Sequence, residues 1–109
     1  MAFHAVRDIG QIIRTSRQKF GAQTGLRYRS LILAGIETLA ENPVQRTARS
    51  HNDILGGAWL YHLRHVRQAG PARIQTPRHL IAYTFDDETV RVQRILYDAM
   101  DLPRHLSGR

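Results

Sequence analysis

Cysteine is absent from the 109 residues, so neither a disulfide framework nor a thiolate metal site can be built. No apolar run reaches the ~18 residues that span a bilayer, and the N-terminus has no signal-peptide layout. Covalent catalysis finds no setting either. Ser16, Ser30, Ser50 and Ser107 lie in no nucleophile motif, and no Gly-x-Ser-x-Gly elbow occurs. Gly56-Gly57 is not followed by the Gly-Lys-Ser/Thr of a phosphate loop. There is no internal repeat. These absences predict a single cytoplasmic domain over residues 1–109, with no cofactor and no membrane contact.

Lysine is nearly missing as well. Lys19 stands alone beside fifteen Arg, and these sixteen cations against nine Asp and Glu leave a net charge of +7. A GC-rich genome favours Arg codons over Lys, but it does not explain the net excess. Arg presents a planar fork to carboxylates and phosphates. The balance therefore favours an acidic partner protein or a nucleic acid.

Along the chain, helical spacing comes first. Phe3, Val6, Ile9, Ile13 and Phe20 recur as one apolar stripe, with Arg7, Asp8, Gln11 and Arg14 opposite and Gly21 as a stop. Tyr28, Leu31, Ile32, Ile36 and Leu39 carry a second helix from about Gln23 to Glu41, ended by Asn42-Pro43. The short connection makes an antiparallel helical hairpin. Val44 to Gly57 reads as irregular.

The period then changes to two. Trp59, Tyr61 and Leu63 alternate with Leu60, His62 and Arg64 in a strand, and Val66 to Pro77 forms a loop. His79 to Phe85 and Val90 to Leu96 form two more strands, joined at Asp86-Asp87-Glu88 as a hairpin. Asp98 to Leu106 predicts a short C-terminal helix broken by Pro103. The fold class is α+β: a helical hairpin packed on one face of a small antiparallel sheet of about three strands, the other face left for work.

Several segments are familiar in this order. Asp8-Ile9 with Ile12, Phe20-Gly21, Gln23, Tyr28, Leu31 and Ile36-Glu37-x-Leu39-Ala40-x-x-Pro43 resemble the helical hairpin of ParE-type toxins. His79-Leu80-Ile81-Ala82-Tyr83 is similar to that family's third strand, and the run from Arg94 to Leu106 closely resembles its ending. The chain thus resembles the ParE/RelE superfamily, the toxins of type II toxin–antitoxin and plasmid-stabilisation systems. The resemblance implies a cognate antitoxin, often acidic, as inhibitor. It implies DNA gyrase as the target of a ParE-type member, or mRNA in the ribosome for a RelE-type endoribonuclease.

Two departures accompany it. Members usually open with a strand, whereas here Met1 falls almost at the first helix. Either the start is truncated or the sheet keeps a bare edge, which an antitoxin strand could complete. Tyr97 stands where the ParE-like ending often carries His.

A ribonuclease needs proton-transfer groups and cations for the phosphate. Arg64, Arg94, Tyr97 and His79 are the candidates, with His62 as a further proton-transfer group. Arg94 and Tyr97 are an odd number of positions apart, so on a continuous strand they face opposite ways. For partner binding the candidates are Arg64, Arg67, Arg73, Arg78, Arg94, Tyr97 and Arg104. Trp59, Tyr61, Tyr83 and Phe85 are assigned mostly to the core. The histidines predict no metal site, because His62 and His65 are also an odd number apart and His4, His51 and His105 stand in unrelated elements.

Overall fold

The computed structural model describes residues 3–45, 48–51, 58–68 and 74–98. Helix α1 runs Phe3–Phe20 and α2 runs Ala22–Glu41. Gly21 alone separates them. Its φ of 97° lies in the left-handed region that favours glycine, and it turns the chain back sharply. Helix α2 ends at Asn42, whose extended φ of −149° suits a residue preceding proline.

Four strands follow: β1 Arg49–His51, β2 Ala58–His62, β3 His79–Phe85 and β4 Val90–Tyr97. They form one antiparallel sheet in the order β1-β2-β3-β4. The three expected strands are present, and the short β1 joins them from within the segment read as irregular. A three-residue strand is too short to announce itself by alternation. Strand β2 is also shorter than expected, because the chain turns into a 3-10 helix at Leu63–His65. Arg64 therefore sits on that turn and not on the strand. The expected C-terminal helix, apart from Asp98, lies outside the described residues.

The β3–β4 turn is held by one carboxylate. Asp86 Oδ1 accepts from the backbone N–H of Glu88 and of Thr89 at 2.9 and 2.8 Å, and the Asp86 N–H donates to the Thr89 carbonyl. A register shift interrupts the hairpin. Ala82 pairs with Arg94 but Tyr83 pairs with Val92, so Gln93 is the extra residue of a bulge. The bulge changes the phase of β4. Val92 and Ile95, three apart, both reach the helix-side core.

That core gathers Tyr28, Leu31, Ile32 and Leu39 of α2 over Tyr61, Ile81, Tyr83 and Ile95 of the sheet. Gly35 is where α2 comes closest. A Cβ there would meet Ile81 Cδ1 and Leu63 Cδ2 at 3.1 Å and Val66 Cγ2 at 3.2 Å. Tyr61 and Tyr83 are buried, while Trp59 and Phe85 pack half-buried against the same cluster. The alternate positions, Leu60, Leu80, Ala82 and Leu96, point away from the helices yet are also buried. The second face is therefore not an open platform, contrary to the expectation. Near-continuous apolar residues along β3 fit a strand buried on both sides.

Helix α1 is rotated relative to its expected stripe. Ala5 and Ile12 are buried and Ile9 packs against the core, whereas Phe3, Val6 and Phe20 are exposed. The reason is position. Helix α1 lies along β4, the edge strand, and is fastened there by its one carboxylate. Asp8 Oδ2 accepts from Arg94 Nε at 2.7 Å and from the Ile95 backbone N–H at 2.9 Å, and Oδ1 accepts from Arg94 Nη2 at 3.1 Å. The expected bare edge is thus partly capped by a side chain. Asp8→Asn would leave the largely shielded Arg94 cation without its counter-charge, at a cost of about 2 kcal/mol. Urea denaturation should show that loss as a lower midpoint with an unchanged m-value.

Candidate functional site

Three strand ends meet at one side of the sheet. His62 closes β2, His79 opens β3 and Tyr97 closes β4, and the registers His62↔Leu80 and His79↔Tyr97 bring them together. Arg78 and Asp98 flank this end, and Asp98 N–H donates to the Arg78 carbonyl at 2.8 Å. Tyr28 reaches the same place from the first turns of α2.

Asp98 is the hub. Its Oδ2 takes His62 Nε2 at 2.9 Å, and Arg78 Nε donates to Oδ1 and Oδ2 at 3.1 and 3.3 Å. Burial pushes the Asp98 carboxyl up, but the hydrogen bonds from His62 and Arg78 outweigh it and hold the group below the usual carboxylate range. The Arg78 guanidinium lies 5.4 Å from the Tyr97 ring centroid, a cation–π contact.

Hydrogen bonding assigns the histidine protons. His62 Nδ1 accepts from the Arg64 backbone N–H at 3.0 Å, so Nε2 carries the proton that meets Asp98. Both ring nitrogens are committed. Tyr28 Oη accepts from the Arg78 backbone N–H at 3.1 Å and has its own proton for His79 Nδ1, 2.7 Å away. His79 then keeps its proton on Nε2, with its ring 5.6 Å from that of Tyr97. Burial is the main cause that lowers the His79 pKa from 6.5 to about 4, and burial likewise pushes the Tyr28 phenol up. At neutral pH His79 is an uncharged strut between α2 and the sheet. Neither imidazole offers a free basic nitrogen for abstracting a proton.

The sequence candidates divide into groups. Arg78, His79 and Tyr97 come together with His62, while Arg64 sits on the adjoining 3-10 turn and Arg67 just beyond it. Arg64, Arg67, Arg78 and Tyr97 are exposed. Arg94 is elsewhere, bound to Asp8 at the β4 edge with 29% of its side chain exposed. Arg73 and Arg104 lie outside the described residues. Sequence reasoning missed Tyr28, Asp98 and Asp8 as polar anchors. Asp8 had one signal, as the lone carboxylate of a basic amphipathic helix.

A pH dependence follows from His79. Its folded-state pKa lies below the unfolded value, so between pH 6.5 and about 4 the unfolded chain takes up a proton that the folded chain refuses. Stability should therefore fall as pH drops through that window and level off below it with respect to this group. Thermal melts across the range should show the decline, and His79→Gln, which keeps an acceptor for Tyr28, should flatten it.

No curated protein matches the chain. Residues 4–102 match the family described as the ParE toxin of the type II toxin–antitoxin system parDE. That span includes α1 from its second residue, the helical hairpin turn at Gly21, every described strand, the Asp8–Arg94 tie and the Asp98 hub. The chain belongs to the ParE toxin family.

Proposed function

We propose that this ParE-family toxin acts by binding DNA gyrase and is neutralised by a cognate antitoxin, and that it does not cut RNA. The observation that carries the choice of binding over cleavage is the state of the two imidazoles. His62 has Asp98 on one nitrogen and the Arg64 amide on the other, and His79 is held by Tyr28 and kept neutral. An RNA-cleaving site needs a group free to take and return a proton, and these two are built in as structure.

What remains exposed at this end of the sheet suits protein recognition. Arg64, Arg67 and Arg78 are exposed, and Arg78 lies against the ring of Tyr97, which is 43% exposed. Arg and Tyr are the side chains that most often anchor interfaces, since each combines a large contact area with directional hydrogen bonds. Arg78 is already oriented by Asp98, so less side-chain entropy is lost when it meets a partner.

The test is a supercoiling assay with purified gyrase, run beside a ribosome-programmed translation extract. The purified toxin should inhibit gyrase and accumulate broken DNA, with mRNA left intact. Combining Arg64→Ala and Arg67→Ala should weaken inhibition about tenfold while the fold persists, and His79→Gln should leave it nearly unchanged. Cleaved mRNA that disappears on Tyr97→Phe would instead establish the RelE-type endoribonuclease.

A further inference from the structure

The charge that the sheet end does not use lies along α1. Arg7, Gly10, Gln11 and Arg14 recur at i, i+3, i+4 and i+7 and so form one outward stripe. With His4, Val6, Asp8 and Arg94 they line a groove of about 410 Å³ beside β4. The groove carries an excess of two cations, Arg7 and Arg14, once Arg94 and Asp8 are paired. Both Asp8 oxygens are spent on Arg94 and the Ile95 amide, and the ion pairs among the described residues give Arg7 and Arg14 no carboxylate. Arg14 is steadied by Gln11 at 3.0 Å, and Arg7 lies over the exposed Phe3 ring at 5.7 Å. The first turn of α1 also carries no acidic residue of its own to offset the positive end of the helix dipole.

Gly10 is the second, independent observation. A glycine inside a helix weakens it relative to alanine and needs a reason. Gly35 has one in the close approach to Ile81, Leu63 and Val66. Gly10 has none among the described residues, where a Cβ would meet only the far end of the Arg14 side chain, Nη1, at an ordinary 3.5 Å. A helix floor without a Cβ, flanked by two unpaired guanidinium groups, lets another backbone pass close by.

We infer that the stripe Arg7–Gly10–Arg14 of α1 seats an extended acidic segment of a partner protein, its backbone crossing Gly10 and its carboxylates meeting Arg7 and Arg14. This inference rests on the reading of the chain as a toxin held by a protein partner. Seven helical residues separate the two Arg by about 10 Å along the axis. An extended strand covers that distance in about three residues, so carboxylates two to four positions apart fit the pair. The exposed Val6 on the groove wall and Phe3 beside it favour a peptide over RNA, since they offer an apolar side chain a place that a phosphate backbone would not fill.

The probe is a fluorescein-labelled peptide of alternating glutamate and valine, read by anisotropy beside an oligouridylate of equal charge. The folded toxin should bind the peptide in preference to the oligonucleotide. Gly10→Ala and Gly10→Gln should raise Tm by about 4 °C, as restored helix propensity requires, yet weaken peptide binding about tenfold. Combining Arg7→Ala with Arg14→Ala should also cost about tenfold, and Arg17→Ala should change nothing. The inference is overturned by any of three results: Gly10 variants that melt lower, Gly10 variants that bind as tightly as the parent, or oligonucleotide bound in place of peptide. Absence of peptide binding would overturn it too. Growth arrest on expression reads the toxin assignment separately, so a harmless parent chain would sink that assignment while an arresting chain with a silent groove would sink only this one.

Discussion

The structure depends on one carboxylate at the edge of the sheet. Asp8 reaches from α1 to close the Ile95 amide and to neutralise Arg94, joining residues 86 and 87 positions apart in sequence. Edge strands are templates for unwanted pairing unless something covers them. Here the cover is a helix, pinned by three charge-assisted hydrogen bonds in a half-buried place where water screens them weakly. Because α1 is pinned at the edge and not laid across the sheet, its inner face needs only small and medium side chains. Its outer face is free to carry Phe3, Val6, Arg7 and Arg14 into solvent.

The same tie decides where function can sit. It commits Arg94 to the scaffold and removes it from any phosphate site. The broad faces of the sheet are committed as well, since Leu60, Leu80, Ala82 and Leu96 are buried on one side and Tyr61, Ile81 and Tyr83 on the other. Two places stand apart from those faces: the sheet's end, where Asp98 organises Arg78 and His62, and the groove beside α1. Both are rich in Arg, and both have their carboxylates already consumed from within. Membership of a toxin–antitoxin family suits a molecule that displays Arg7, Arg14, Arg64 and Arg67 without carboxylate partners among the described residues.

Much of this was legible in the sequence. The bounds of α2 follow from Gly21 and Asn42-Pro43, and β3 follows from the apolar and aromatic run between His79 and Phe85. The α1 stripe was not legible, because periodicity finds apolar residues without saying which way an edge helix faces. Phe3 and Val6 have the right spacing and the wrong side. Gln93 shows a second limit, since a bulge shifts the phase of a strand without any local signal in its side chains. At the candidate site, His79 and Tyr97 were found by residue type. Their roles were not, since those depend on Tyr28 and Asp98, 51 residues from His79 and 36 residues from His62 respectively.

The most direct measurement is amide hydrogen exchange at Ile95, followed by NMR on the parent protein under native conditions. A backbone N–H at the edge of a sheet exchanges quickly when it faces water, and slowly when a buried acceptor holds it. Closure by Asp8 predicts that Ile95 is protected to the level of the central strand β3. An Ile95 amide that exchanges as freely as an open edge would contradict the tie, and with it the placement of α1 and of everything displayed along its outer face.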